Sequence, residues 1–499
     1  MGVLLTYVSE AIKILTTLVY TPLMLRLLGE NEYGLYQTVS STVAYLSLLS
    51  LGFGSAYVRY HSRYQVKDDH DGIARLNGMF MLVFTAMSLI CLIAGGVMIG
   101  NARAIFGDKL TSAELEQSKL LMVVLILSMA VTFPNSVFNC YVTAHERFVF
   151  QKLLIVVQNV LNPCLTLPLL MLGYGSVAVV MVSAVLTLVV FVFNLYYCMK
   201  KLGMRFSFRG LEFSLLKEMI AFTFFIFLNQ IIDQVNWAVD KFLLVRMIGP
   251  ATVAVYSVGA QINSLYIQMS TAVSSVFIPK VNQIVASSDD NRELTGLMAR
   301  VGRIQYIILM LILTGFVFFG KSFIRLWTGA GTELAYYVAL LLMVPVTVSL
   351  VQNLGIEIQR AKNMHKTRSV VYACLAVGNV GVSISLIPIW GVVGAAAGTT
   401  ISLVLGNILF MNWYYHKRIG LDMVAFWKDI LRLVPATLVV CLFGGVYTWF
   451  VKVNGWMMLA LSAALFAAVY AVALWLLGLN RYEKQLVRKM LRKLPGMKG

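Results

Sequence analysis

AFTFFIFLNQIIDQVNWAVDKFLLV, residues Ala221–Val245, is long and apolar enough to cross a membrane. It nevertheless carries Asn229, Gln230, Asp233, Gln234, Asn236, Asp240 and Lys241. On a helix, Asn229, Asp233, Asn236 and Asp240 fall on one line, at i, i+4, i+7 and i+11. Gln230, Gln234, Trp237 and Lys241 lie beside that line. Ile231, Ile232, Val235, Ala238, Val239 and Phe242 form the opposite side. Each ionisable group inside hydrocarbon costs roughly 2.5–3.5 kcal/mol, so such groups face a bundle interior or a wet cavity. The stretch therefore reads as one wall of a hydrophilic path through a membrane protein. The competing reading is a polar seam that only joins helices.

The whole chain agrees with this. It has 499 residues, 59% of them hydrophobic and 12% charged, with a mean hydropathy of +0.81. That balance excludes an ordinary soluble protein and demands transmembrane helices. The net charge of +18 is not a nucleic-acid signature. With the amino terminus inside, about thirty of the 40 Lys and Arg fall in alternate loops and the tail, as the positive-inside rule requires. Six scattered cysteines without a CxxC exclude a disulfide or zinc framework. The five histidines, His61, His70, His145, His365 and His416, fall in the inside loops without an HExxH pattern. No metal is expected, and the absence of a phosphate-loop motif excludes direct use of ATP. The start lacks a basic region before its first apolar run, so that run is read as a retained span. MGVLLT matches a myristoylation pattern at Gly2, an anchor that a chain with many spans does not need.

Fourteen candidate spans begin near Leu4, Tyr33, Met79, Lys119, Leu153, Gly175, Lys217, Gly249, Arg303, Glu333, Arg368, Val392, Asp429 and Gly455. GENEYG (Gly29–Gly34) and GYG (Gly173–Gly175) read as tight hairpins. An even count with inside-positive ends puts both termini in the cytoplasm. Lys200–Lys217 looks like a linker between halves, and SSDDNRELTGL (Ser287–Leu297) carries capping signals before a short helix. The tail from Arg481 reads either as a basic amphipathic helix on the inner leaflet or as a solvated tail.

A shift of 220 residues lays Arg26-x-x-Gly29-x6-Tyr36 over Arg246-x-x-Gly249-x6-Tyr256. Ser9, Lys13, Thr16 and Tyr20 repeat the spacing of Asn229, Asp233, Asn236 and Asp240. Ala144 and Asn162 match Ala361 and Asn379 at a shift of 217. The fold expected is all-α: two six-helix lobes in parallel repeat around a central polar cavity, plus two C-terminal helices. The boundaries are 1–208, 209–418 and 419–499. Such repeats hold substrate between the halves near the midplane. Lys13 and Asp233 then sit at equivalent positions. Each is thirteen residues from its arginine, Arg26 or Arg246, or about 20 Å along a helix. A lysine there suits a phosphate group, unless it snorkels to the inner surface with Glu10. Asp233 and Asp240 suit a coupling proton or sodium ion, and no other cofactor is implied. Lys13, Tyr20, Arg26, Asn229, Asn236 and Arg246 are the substrate-binding candidates, with Arg26 and Arg246 at the outer mouth.

LVYTPLMLRLLGENEYGLYQ (Leu18–Gln37), LSLGFGSAYVRY (Leu49–Tyr60), DKFLLVRMIGPATVAVYSVGAQ (Asp240–Gln261) and AKNMHKTRS before the eleventh span carry a family likeness. They resemble the oligosaccharide flippases of the polysaccharide-biosynthesis family. That family shares a superfamily with the multidrug and toxin extruders and the lipid II flippase. The likeness covers nearly the whole chain. It implies movement of a polyprenyl-pyrophosphate-linked oligosaccharide from the inner to the outer face of the cell membrane, by alternating access. The expected partners are the lipid-linked oligosaccharide, membrane lipids and a polysaccharide polymerase, with no nucleic acid. Tyr20, Gln37, Tyr45, Tyr57, Asn263, Gln268, Gln352 and Asn353 could offer weak hydrogen bonds to sugars, or could simply pack helices. An ion-coupled drug or toxin antiporter is the alternative, but its cavity should be acidic, and the first stripe carries Lys13. A membrane glycosyltransferase or polymerase would need more than Glu30 and Glu32 in a short outer loop.

Overall fold

The structure is a computed structural model that describes residues 2–485 except 212, 289, 330, 363, 365 and 482. The side chains of 2–7, 213–215, 221, 222, 225, 226, 229, 233, 235, 236 and 366 also lie outside the described set. Among the described residues the fold is entirely helical. In chain order the helices of the first half are α1 (Gly2–Ala44), α2 (Phe53–Val66), α3 (His70–Gly100), α4 (Ala102–Phe106), α5 (Ser112–Ala144), α6 (Phe148–Met171), α7 (Gly175–Tyr196) and α8 (Phe213–Met247). Then come α9 (Pro250–Ser275), α10 (Ile278–Ser287), α11 (Asn291–Thr328), α12 (Ala335–Val351), α13 (Leu354–Ala361), α14 (Lys366–Trp390) and α15 (Val392–Leu403). The last are α16 (Met411–Tyr414), α17 (Met423–Leu431), α18 (Val434–Phe450) and α19 (Trp456–Ala473).

A helix is what an apolar run must form in lipid, because it satisfies its own backbone polar groups. Nine of the described helical stretches are long and apolar enough to span, or eleven if two bent pairs each count once. The protein is thus a multi-pass membrane protein, while the count of fourteen stays an expectation. The elements end where the local chemistry dictates. α1 is two helices that break at Gly29, which has φ 76°. Asp69 caps α3 by accepting from the Gly72 amide at 2.7 Å. Thr111 and Glu114 close a reciprocal cap at the start of α5. The expected GYG hairpin between α6 and α7 is present, with Gly173 and Gly175 both at positive φ.

Two compact units divide the chain, Met1–Ser257 with Tyr372–Gly398, and Val258–Val371 with Thr399–Gly499. In the first, α3 packs on α5, α5 on α7, and α1 on α5, α6 and α8. In the second, α11 is the central post, against α12, α17, α18 and α19. Outward-facing Leu89, Ile93, Val97, Leu442 and Trp449 are exposed, which suits a lipid-facing surface.

Three local readings change. The helix expected after Ser287–Leu297 is not short. It runs unbroken into the span as the 38-residue α11, capped by Asp290 at the Arg292 amide, because no Gly-Pro signal interrupts it. His61 does not lie in a loop. It is fully buried on α2, which packs on α3 and α5. Within the expected linker Lys200–Lys217, residues 205–207 are docked: the Ser207 amide donates to the Ala74 carbonyl at 2.9 Å, Asn77 Nδ2 donates to the Arg205 carbonyl at 2.9 Å, and α8 already begins at Phe213. The tail helix expected on the inner leaflet falls mostly outside the described residues, as does His365.

Candidate functional site

The polar stripe of α8 enters the first compact unit through Asp240 and Lys241. Asp240 is fully buried. Its carboxylate accepts from the Tyr256 hydroxyl of α9 and, at 3.3 Å, from the Ser383 hydroxyl of α14. Tyr45 faces the same carboxylate. Lys241, the next residue, points to a different neighbour. Its ammonium donates to Gln37 Oε1 at 3.2 Å, and Gln37 Nε2 donates to the Tyr33 hydroxyl at 2.9 Å. One helix thus holds a carboxylate and an ammonium side by side, each with hydroxyl or amide partners rather than each other. Neutral hydrogen-bonding groups of this kind let an ionisable side chain persist in a low-dielectric interior.

A second arrangement in the same unit echoes the first. The Ser383 hydroxyl, besides Asp240, meets Asn379 Oδ1 at 3.2 Å. At a shift of 217 residues, the Thr166 hydroxyl meets Asn162 Oδ1 at 3.3 Å. Tyr20, which the 220-residue shift lays over Asp240, lies against Thr166 and Tyr36. The 220- and 217-residue shifts thus lay Tyr20, Tyr36 and Thr166 over Asp240, Tyr256 and Ser383, but the Tyr20 hydroxyl has no hydrogen-bond partner among the described residues, whereas Asp240 is bonded to both of its counterparts. The first set holds a phenol where the second holds a carboxylate.

The other nominated residues are distributed more widely. Lys13 is exposed and Tyr20 half-buried on α1. Among the described residues Lys13 makes no ion pair, not even with Glu10 one turn away. Arg26 is exposed. Arg246 is exposed and donates to the Ala104 carbonyl of α4 at 3.1 Å. Asn229, Asp233 and Asn236 lie outside the described side chains. Several sugar-contact candidates spend their polar atoms on packing. Tyr57 donates to Asn77, Gln352 donates to the Asn407 carbonyl at 2.7 Å, and Asn353 donates to Ser274 at 2.9 Å. Glu32 accepts from the Ser176 amide and Gln117, each at 2.6 Å, so that acid caps α7. Among the described residues no cluster of three or more His, Cys, Asp or Glu has a metal-holding arrangement.

Ser383 was missed in sequence, although its neighbour Asn379 had appeared in the repeat. Tyr256 had appeared there too, as the counterpart of Tyr36. The i, i+4 pairing of Asn with Ser or Thr, repeated at 162 and 379, was the available signal.

A family model described as polysaccharide biosynthesis protein matches residues 1–285. The chain is 23% identical over 493 residues to the uncharacterized membrane protein EpsK of Bacillus subtilis (strain 168), covering 95% of this chain and 94% of that protein. It is 23% identical over 176 residues to the probable flippase AglR of Haloferax volcanii, covering 35% of this chain and 37% of that one. Among solved structures it is similar to the lipid II flippase MurJ in an inward closed conformation. The TM-score is 0.76 at 14% identity, covering 97% of this chain and 99% of that one. It is also similar to an inward-facing multidrug resistance MATE family transporter, with a TM-score of 0.64 at 16% identity over 84% of this chain and 99% of that one. With more than half of its length matched by the family model, this multi-pass membrane protein belongs to the polysaccharide biosynthesis protein family, and its fold is similar to that of the lipid II flippase along nearly all of the chain.

Proposed function

We propose that the protein flips a polyprenyl-pyrophosphate-linked oligosaccharide from the inner to the outer face of the cell membrane by alternating access, for cell-surface polysaccharide synthesis. Both termini are cytoplasmic on this reading, and the halves 1–208 and 209–418 are the moving lobes. The observation that carries it is Lys13. This cation stands about 20 Å along the helix from Arg26, exposed and without an acid partner among the described residues. An antiporter for cationic drugs has no use for it, whereas a pyrophosphate head does. The second compact unit adds support. α11 and α19 flank an open apolar groove of about 500 Å³, lined by Phe316, Phe319, Phe323, Trp456 and Phe466, which suits an isoprenoid chain.

Asp233 and Asp240 are the coupling carboxylates for a proton or sodium ion in this proposal. A polysaccharide polymerase is the expected consumer of the product. The test is flipping of a fluorescent lipid-linked oligosaccharide in reconstituted vesicles. Lys13→Ala should slow it about tenfold, the loss of roughly 1.4 kcal/mol in the transition state. Asp233→Asn should remove its dependence on pH or sodium. A Lys13→Ala protein that flips at the wild-type rate removes Lys13 from the site. An Asp233→Asn protein with unchanged ion dependence removes Asp233.

A further inference from the structure

Beneath the segment that joins α7 to α8, the first compact unit holds a cavity of about 390 Å³, a size ordinary for small-molecule sites. Its chemistry is set by His61 of α2, His70 and Asn77 of α3, Tyr141 and His145 of α5, and Arg205 of the joining segment. No carboxylate lines it, although His70 Nε2 lies 3.4 Å from Asp68 Oδ1 at the exposed rim.

The polar atoms can be accounted for one by one. Asn77 is spent on Tyr57 and on the Arg205 carbonyl. The Tyr141 hydroxyl points at the Leu202 carbonyl at 3.5 Å. His145 Nδ1 lies 2.9 Å from the Tyr141 carbonyl, so Nδ1 carries hydrogen, and Nε2 donates to an anion only in the imidazolium form. His61 is the lining residue whose polar atoms are left without a partner. Its side chain is fully buried, and neither ring nitrogen has a protein partner. Its ring centroid lies 5.0 Å from that of His145 and 5.6 Å from that of Tyr141. An unsatisfied buried polar group costs about 1–3 kcal/mol, and such a group in a native fold calls for an explanation, a bound water or ion among them.

We propose that this cavity binds a small phosphate-bearing anion. His61, His70 and His145 line it from three helices, and Arg205 lines it from the joining segment. Donors converging from separate sides suit a tetrahedral oxyanion better than a planar carboxylate, and Arg205 adds a two-pronged grip. A metal cation is the poorer occupant. The arginine repels it, no carboxylate neutralises it, and no three-ligand cluster exists among the described residues. The anion is either a soluble phosphate ester or a phospholipid headgroup. Because Arg205 belongs to the segment leading into α8, occupancy ties that segment to α2, α3 and α5. That consequence for transport rests on the flippase reading, but the binding site does not.

The test uses the full-length protein in detergent, with inorganic phosphate as probe and dihexanoyl phosphatidic acid as the headgroup arm. Histidine side chains labelled with ¹⁵N are followed by NMR, and affinity by calorimetry. Phosphate should shift the His61 and His145 imidazole signals, which are assigned by their loss in His61→Phe and His145→Gln. Arg205→Gln, an exposed position, should weaken binding at least tenfold while leaving the thermal unfolding midpoint without ligand unchanged. Response to the lipid alone upholds the site and assigns it to a headgroup. Silence to both probes, or equal affinity in Arg205→Gln and wild type, overturns it.

Discussion

The Glu32 carboxylate accepts from the Ser176 amide at 2.6 Å, at the start of α7. A negative charge there meets free amide hydrogens and the positive end of the helix dipole. Gly175 makes the approach possible, because a Cβ on it would stand 2.5 Å from Glu32 Oε1, and its φ is +60°. Glu32→Gln keeps the shape and loses the charge, so it should cost about 1 kcal/mol. Glu32→Ala leaves the Ser176 amide unpaired and Gln117 with only the Ser176 hydroxyl at 3.0 Å, and should cost about 2 kcal/mol. Thermal unfolding in detergent reads both, with Gly175→Val at least as damaging as Glu32→Ala. Wild-type midpoints in all three would show that this contact holds nothing. Asp240 is a different kind of acid, fully buried between two hydroxyls. Its removal should register in transport coupling as well as in stability.

Around Arg303 four stretches of chain are tied into one corner of the second compact unit. The guanidinium on α11 donates to Glu483 Oε1 and Oε2 at 2.6 and 2.8 Å, to the Asp429 carbonyl of α17 at 2.6 Å, and to the Gly478 carbonyl at 2.9 Å. Glu483 and Asn480 cap each other's amides at 2.9 and 2.8 Å. Breaking a buried pair on one side strands a charge. Glu483→Ala should therefore destabilise by about 3 kcal/mol, and the double change Arg303→Met with Glu483→Leu by less. Denaturant or thermal unfolding of the three proteins checks that order. The joining segment 202–211 offers a second test. A Cβ at Gly78 would meet the Ser207 carbonyl oxygen at 2.1 Å, so Gly78→Leu should lift the segment off α3. Trypsin should then cut after Arg205 or Arg209 several-fold faster than in wild type, with the helices themselves still protected.

For the whole molecule, the charge distribution makes a prediction about sidedness. With both termini inside, a fluorescent protein fused after Gly499 should fluoresce, and an alkaline phosphatase fused there should be inactive. Active phosphatase would reverse the orientation and move the histidine cavity to the outer face. The all-helical membrane architecture was legible from hydropathy alone. A long apolar run in lipid has one economical conformation, so composition leaves little choice. The α8 stripe was legible for the same reason, since helical geometry turns sequence spacing directly into a face. The partners of that stripe were not legible. Tyr256 stands 16 residues from Asp240 and Ser383 stands 143 away, on helices whose apolar faces look alike. In lipid, no hydrophobic gradient marks which face meets which helix, so small residues and a few hydrogen bonds make that choice. His61 shows the same limit, because a histidine written among arginines and tyrosines reads as a loop residue. Only the packing of α2 against α3 and α5 buried it and left its nitrogens without a partner.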